Sequence, residues 1–342
     1  MTMTLGDPAQ TVDVVVPVHG RYELTRSCLQ HLAAQTVSHH VLVVDDGSCD
    51  DTVERLTAEW PAVQIVRLAR QQGFSRAVNA GVAAGFADVV VLLNNDVQLA
   101  PDALERLIAP LCGEPSQIGS VASLMMQPGT GLIDSVGVAI DETLAGYPRL
   151  RGFPQNEAAR VEPTLAGPEG TAGAYRRSAW EAVGGLDEHI VAYHEVVDLA
   201  LRLSGAGWRC VAATGATGVH LGSATYGARP VTVRRLAGAS RGYMLRRWRL
   251  PGWRAVVRAT LSETLVVAAD TLLNHDLASL SGRIHGWRAA SGLTRHPPPS
   301  PEVIATSITL RRSFALRWAA VQLGAPTPRR MKADDSRQGE SR

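Results

Sequence analysis

Apolar positions near the N-terminus come in short unbroken runs separated by stretches of helical spacing. Val12 to Val18 reads VDVVVPV, and this β-branched run predicts a buried strand. Arg21 to Gln35 follows with Leu24, Cys28, Leu29 and Leu32 on one helical face. Val41 to Val44 predicts a second strand, running into Asp45-Asp46-Gly47-Ser48. Asp51 to Trp60 reads as a helix, Val63 to Leu68 as a third strand and Ala77 to Phe86 as a small-residue helix. Val89 to Leu93 is a fourth, wholly apolar strand, and Pro101 to Leu111 a helix with proline at its start. Strands alternating with helices at this spacing predict an α/β fold whose sheet is covered on both faces. Ligands of such sheets bind beyond the carboxyl ends of the strands. That places Pro17–Gly20, Asp45–Ser48 and Asn94–Asp96 at one edge.

The pattern loosens from Gly119 to Gly167, where Gly and Pro predict short strands and loops. Tyr175 to Val183 reads as a helix stopped by Gly184-Gly185, and Val196 to Ala206 as another. Beyond Gly227, Arg234 to Trp248, Trp253 to Leu273 and Ile304 to Leu323 have helical character, with Pro297-Pro298-Pro299 and Pro301 breaking the last two apart. Ala325 to Arg342 is polar and charged, which predicts a disordered tail. The expected organisation is an α/β body over residues 1–228, a basic helical extension over 229–324 and a tail over 325–342.

Charge sharpens that division. The net charge of +2 over 342 residues hides 14 basic and 25 acidic residues in 1–228 against 20 basic and 7 acidic in 229–342. A basic extension suits an anionic partner such as a phospholipid surface, or else a solvated helical face. Trp248, Trp253 and Trp287 lie among the arginines, but no nucleic-acid-binding motif accompanies them. Cys28, Cys49, Cys112 and Cys210 have neither metal-clip spacing nor a disulfide framework, which fits a reducing compartment. Met1 to Thr11 lacks the apolar core of a signal peptide, and no uncharged apolar run reaches the ~18 residues of a bilayer span. A cytoplasmic protein, attached at most peripherally to the inner face of the membrane, is expected.

Carboxylates at strand ends carry the candidate chemistry. Asp96 closes VVVLLNND, where an acidic residue at the open end of a buried strand suits a hard cation. Asn94 and Asn95 beside it add oxygen ligands or hydrogen bonds without charge, although Asn-Asp pairs also form ordinary turns. Asp45 and Asp46 can accept hydrogen bonds from a base or ribose, and the same segment can cap the next helix through Ser48 or Asp50. His220, after an apolar stretch, has the chemistry of a metal ligand and also of a structural histidine. Glu195 and Asp198 share a helical face, where either could be a general base. Arg202 lies four residues after Asp198, as an ion-pair partner would.

The order of these segments resembles the family 2 glycosyltransferases of the GT-A fold, and within them the rhamnosyltransferase-like branch. The resemblance runs from about Val12 to Thr225 through VVVPVHGRYELTRSCLQHLAAQT, VLVVDDGSCDDT, QQGFSRAVNAGVAAGFADVVVLLNNDVQL, YRRSAWEAVGGLDE, YHEVVDLALRL and the Val219-His220 segment. It implies a mixed central sheet flanked by helices, and transfer of a sugar, such as rhamnose or another hexose, from a nucleoside-diphosphate donor. The acceptor would be a hydroxyl on a cell-surface glycan or lipid-linked molecule, reached with inversion. Pro17, His19, Asp45, Asp46, Gly73 and Asn79 would border the nucleotide. Asn94, Asn95 and Asp96 match the family's metal motif with its first Asp replaced, and His220 would complete the Mg²⁺ or Mn²⁺ and diphosphate site. Gly170, Thr171, Gly173, Gly184 and Gly185 would shape the acceptor side. One departure stands out: the family's usual base is an Asp where this chain has Val196. Glu195 takes over, Asp198 does, or transfer is impaired and the chain is a binding scaffold on the same fold. A sugar nucleotidyltransferase is the poorer match, since Pro17-Val18-His19-Gly20 replaces that class's Gly-rich loop with Arg and Lys, and the only lysine is Lys332.

Overall fold

The computed structural model describes residues 12–112, 117–160, 164–222 and 231–322. The expected tail over 325–342 lies outside the described residues, as does the expected boundary near residue 228. The first half alternates β1 (Val12–Val18), α1 (Tyr22–Ala33), β2 (His40–Asp45), α2 (Thr52–Glu59), β3 (Gln64–Arg67), α3 (Phe74–Ala84) and β4 (Val89–Leu93). A short β5 (Val97–Leu99), α4 (Ala103–Ile108), the long β6 (Ile118–Met126), β7 (Ile133–Val136), β8 (Val138–Ile140), β9 (Gly146–Pro148) and β10 (Thr164–Leu165) come next. Then follow β11 (Ala172–Arg176), α5 (Arg177–Val183), α6 (Glu195–Gly205) and the twelve-residue β12 (Arg209–His220). Four helices end the described chain: α7 (Val231–Arg247), α8 (Trp253–Asn274), α9 (Ala278–Ala289) and α10 (Leu310–Gln322).

Among the described residues, ten strands form one mixed sheet in the order β10-β12-β6-β11-β4-β1-β2-β3, with β5 added to β12 and β7 to β6. β4, β1, β2 and β3 run parallel, and β11 lies antiparallel between β4 and β6. Buried on both faces, the central strands β1 and β4 are almost wholly aliphatic, whereas the edge strand β3 has no buried residue. Val12, Val14, Val16 and Val18 pack on one side with Leu29 and Leu32 of α1 and Leu104 and Leu107 of α4. Val15, Leu42 and Val44 pack on the other with Val78 of α3, Trp180 of α5 and Leu203 of α6. Gly81 lets α3 settle on the sheet, because a Cβ there would fall 2.5 Å from Val15 and 2.7 Å from Val44. A third cluster joins Val138, Ile190 and Val197 to Tyr243, Met244 and Trp248 of α7 and its C-terminal edge, so this helix shares a core with the body.

Several expectations are corrected. Tyr175 and Arg176 belong to β11, not to the helix after it, because they pair with Val90 and Val89 of β4. The last helix begins at Leu310 rather than Ile304, whose segment instead bridges to Ile140. Helix α9 has no counterpart among the expected elements. Its inward residues are Gly282, Gly286 and other small side chains, so it lacks the aliphatic stripe that marks a buried helical face.

The buried charge of Asp13, at the start of β1, is fully enclosed and accepts from Arg177 Nη2 at 2.7 Å and from the Ala87 amide at 2.8 Å. Arg177 also donates to the carbonyls of Val82 and Ala87, tying β1, the end of α3 and the start of α5 into one clamp. Removing Arg177 leaves the enclosed carboxylate with only the Ala87 amide and His40 Nδ1, at 3.2 Å, to offset its charge. Arg177→Ala should lower the unfolding free energy by about 3–5 kcal/mol in urea titration. A loss below about 1 kcal/mol would show that the pair behaves like a surface bridge.

Candidate functional site

The carboxyl ends of β1, β2 and β4 meet at one edge, as the strand pattern predicts. After β1, His19 Nδ1 lies 2.9 Å from the Asp46 carbonyl, and the Gly20 amide donates to Ser48 Oγ at 2.6 Å. After β2, the Asp46 carboxylate accepts from the amides of Gln72 at 2.6 Å and Gly73 at 2.9 Å. Asp46 therefore fixes the loop that leads into α3. Asp45 is fully buried, accepts from the Ser48 amide at 3.0 Å and faces Arg67 at 3.4 Å. Gly47 has φ +71, and a Cβ there would fall 2.5 Å from the Arg70 backbone. This close approach forms the floor of a cleft of about 610 Å³ lined by His19, Gly47, Ser48, Arg67, Arg70 and Gln71 among others. The volume suits a nucleoside. Arg67 and Arg70 were not among the expected site residues, because nothing in their local sequence distinguishes them from a solvated strand end.

A second cluster forms where β4 ends. Strand β5 starts one residue after Asp96 and pairs antiparallel with β12, setting Val97 opposite His220. His220 Nε2 comes 3.4 Å from Asp96 Oδ1, and that buried oxygen has no hydrogen-bond partner. On the far side of the ring, His220 Nδ1 lies 2.8 Å from Asp134 Oδ2, and Arg151 pairs with Asp134 at 3.0 Å. Burial would lower the imidazole pKa, but the two flanking carboxylates outweigh it and raise the value to about 10. Asp134 escaped the sequence reading. Its only signal was a lone carboxylate inside the apolar run LIDSVG, and its place beside His220 needs the β6–β7 hairpin. Asn95 donates to Thr25 Oγ1 at 3.0 Å, and the Asn94 amide donates to the Thr171 carbonyl at 2.9 Å, so both brace the strand end.

Asp96 Oδ1 and His220 Nε2 are a donor set that fits a divalent cation, which on binding would displace the proton that the flanking carboxylates hold on the ring. Among the described residues no cluster of three or more such side chains surrounds one point. A small divalent ion commonly takes only one or two protein ligands and completes its shell with water and substrate phosphate.

Glu195 opens α6. The backbone before it is left-handed at Tyr193 (φ 65) and His194 (φ 68), a conformation that costs non-glycine residues roughly 1 kcal/mol or more each. Its Oε2 is enclosed and without a hydrogen-bond partner. Burial pushes the carboxyl pKa up, a hydrogen bond from its own amide opposes this, and nearby Glu169 adds to the rise, giving about 7. Glu169 in turn accepts from the Thr171 amide and hydroxyl. A Cβ at Gly170 would stand 3.9 Å from Glu195 Oε1, so Gly170 and Thr171 link Glu195 to the end of β4.

Other expected site residues have structural duties. Asp198 is fully buried, with one oxygen on Arg202 at 2.7 Å and the other on Trp248 Nε1 at 2.9 Å. So held, it is no candidate for a base. Asn79 clasps Leu186 through both its amide and its carbonyl, and Gly185 packs against Asn79 and Trp180. Gly173 lies within the sheet between Leu92 and Ala122, against Pro168. Pro17 and Gly73 flank the loops that frame the nucleoside-sized cleft.

Comparison with known proteins agrees with this geometry. The family model for Glycosyl transferase family 2 matches residues 13–184, half of the chain. The N-acetylglucosaminyl-diphospho-decaprenol L-rhamnosyltransferase of Mycobacterium tuberculosis is 29% identical over 261 residues, covering 69% of this chain and 84% of that protein. Among solved structures, a mannosyltransferase from Pyrobaculum calidifontis in complex with GDP-Man and Mn²⁺ superposes with a TM-score of 0.52. It is 17% identical, covering 92% of this chain and 83% of its own. GalNAc-T7 with UDP, GalNAc and Mn²⁺ gives a TM-score of 0.52 at 15% identity, over 70% of this chain and 50% of that one. These likenesses establish the GT-A fold. The chain belongs to the family 2 glycosyltransferases, enzymes that take a sugar from a nucleotide donor.

Proposed function

We propose that this enzyme transfers a hexose such as rhamnose, with inversion, to a hydroxyl of a lipid-linked or cell-surface glycan acceptor, with Glu195 as the general base. The observation that carries this is the enclosed Glu195 carboxylate, whose Oε2 has no hydrogen-bond partner and whose pKa of about 7 suits proton removal near neutral pH. The rhamnosyltransferase relative, whose name specifies a diphospho-decaprenol acceptor, supports the acceptor class. No helix of the described residues is long and apolar enough to cross a membrane. Such an acceptor would therefore be met from the membrane surface, on its cytoplasmic face in this reading.

Each residue then has a task. The cleft walled by His19, Arg67 and Arg70 receives the nucleoside, and the turn held by Asp45 and Asp46 keeps that wall in place. Asp96 and His220 would hold Mg²⁺ or Mn²⁺ at the diphosphate. When bound, the cation neutralises the charge that grows on the departing nucleoside diphosphate. Asp134 keeps Nδ1 of His220 engaged and so aims Nε2 at the site. Glu195 takes the proton of the acceptor hydroxyl, whose oxygen attacks the anomeric carbon opposite the leaving group. One displacement of this kind inverts the configuration.

Three outcomes test the scheme. Asp96→Ala should abolish the Mg²⁺-dependent part of UDP, GDP or dTDP binding in calorimetry while the fold persists, and unchanged affinity would reject the cation assignment. Asp134→Asn leaves both ligands present and should weaken Mn²⁺ affinity by about 10–100-fold, read by titration without substrate. For the base, kcat/KM of the wild type should fall as pH drops below about 7, because protonated Glu195 cannot accept a second proton. Glu195→Gln should lower turnover about 10²–10⁴-fold, leave donor affinity nearly unchanged and erase that acid limb. If the variant keeps wild-type turnover, the base lies elsewhere. A wild type that binds donor yet releases no nucleoside diphosphate with any acceptor would favour the scaffold reading.

A further inference from the structure

Two C-terminal helices face the wrong way out for a protein surrounded by water. The inward side of α8 carries Arg258, Ser262, Glu263 and Asp270, while Trp253, Val256, Val257, Leu261, Leu265 and Leu272 point outward. These outward positions recur every three or four residues and make one stripe along the helix. Trp253 is 72% exposed, Leu265 49% and Leu272 74%. Of the exposed residues of α8, Arg254 alone is charged. Helix α9 repeats the arrangement, with Leu280, Ile284 and Trp287 outward and Gly282 and Gly286 inward.

What lies inside is equally inverted. Gly238 and Gly242 of α7 meet Gly282 and Gly286 of α9 so closely that a Cβ at Gly242 would fall 2.0 Å from the Arg283 carbonyl. At Gly286 it would fall 1.8 Å from that of Ala239. Both helices thus carry paired small residues four apart, the interface helices use when their surroundings are as apolar as leucine. Behind α8, Glu263 pairs with Arg241 and Arg283 at 2.8 Å each, and Asp270 faces Arg234 at 3.5 Å. Charge holds the layer together from within, and aliphatic side chains are left outside.

We propose that the outward face of α8 and α9 docks into the headgroup–acyl boundary of an anionic membrane. The helices would lie in its plane, since none is long and apolar enough to cross. Charge selects this occupant over a second copy of the chain. Arg254 of α8 and Arg288 of α9 are exposed, as are Arg235, Arg249 and Arg295 of the neighbouring segments, whereas Glu263 and Asp270 point inward and Asp276 is engaged by Arg234. Two copies would set arginines against arginines; phospholipid anions neutralise them. Arg254 and Arg246 also lie over Trp253 and Trp287, at 5.6 and 5.5 Å, and this amphipathic pairing suits the interface.

The docked layer reaches the proposed base through α7. Opposite its glycine face, Ser240 donates to the Ala192 carbonyl at 2.6 Å and Tyr243 to Asp187 at 2.6 Å, so α7 grips the segment before Glu195. Docking would present the acceptor side to the surface where a lipid-linked acceptor lies. The inference deepens the lipid-linked reading in purpose, but its geometry and its test stand apart from catalysis.

The test is co-sedimentation of the full chain with vesicles of phosphatidylglycerol in phosphatidylcholine, against phosphatidylcholine alone. Wild type should pellet with the anionic vesicles, less so as salt is added, and little with the neutral ones. Leu261→Gln with Leu265→Gln, and separately Arg254→Glu with Arg288→Glu, should each reduce partitioning by about tenfold or more at unchanged melting temperature. Donor binding should stay as in wild type in both variants, which separates a failure of docking from a failure of the transfer reading. Equal pelleting with both vesicle types, variants that partition like wild type, or absence of pelleting would overturn the proposal. So would a soluble dimer in light scattering that the leucine variants dissociate, which would assign the face to a second copy.

Discussion

Strand β12 is hydrogen-bonded to β6 along one side and to β5 and β10 along the other, and the candidate cation site exists because of that double pairing. The strand starts beside Ile118 and ends at His220, opposite the residue after Asp96. Its register shifts between Ala213 and Thr217, where the partner advances by one residue while β12 advances by four. The extra residues bulge out of the ladder with β6, which resumes at Thr217, while the other edge of the strand passes from β10 to β5. On that other edge β5 brings the chain just after Asp96 alongside His220 and so sets the imidazole beside the carboxylate. The same strand ladder carries β7, through β6, to the other side of the ring, where Asp134 waits.

What could be read from the chain follows from how local the cause is. The parallel half was legible because β1, β2 and β4 are runs of Val and Leu and the helices between them carry apolar stripes, so hydrophobic period places them. The edge that gathers His19, Asp46 and Asp96 followed from the rule for open sheets. Beyond residue 118 the determinants become non-local. Strand β12 contains Gly215, Gly218 and several alanines and threonines, with no clean alternation, because one side of it changes partner part-way. Asp134 and Arg67 lie far in sequence from what they serve. Helix α9 was invisible for a different reason: its packing face is glycine, which carries no hydrophobic signal at all.

Asp198 shows how a site residue and a scaffold residue can share one motif. Its separation from Arg202 correctly implied an ion pair, and the structure adds Trp248 from the edge of the C-terminal helices. The carboxylate has spent both oxygens on holding α6 to its neighbours. Arg202 extends the anchorage to the carbonyls of Val183 and Gly185. The first turn of α6 is thereby fixed in position from behind, while its leading residue, Glu195, keeps an oxygen with no partner. A rigid support behind an unsatisfied carboxylate is what a general base requires, since its geometry must survive the loss and gain of a proton.

The valine at position 196 is then less of an obstacle than the resemblance to the family implies. Val196 Cγ1 would stand 3.5 Å from a Cβ placed on Gly170, and Glu195 Oε1 would stand 3.9 Å from the same point. Both side chains therefore border one glycine, although adjacent residues of a helix normally point about 100° apart. The left-handed backbone of Tyr193 and His194 leads directly into these two residues. A carboxylate moved from position 196 to position 195 stays next to Gly170, and the extra methylene of glutamate supplies reach without any change of main chain. Valine in the vacated place adds apolar surface beside the carboxylate. Burial raises the Glu195 pKa to about 7, into the range where a base works near neutral pH.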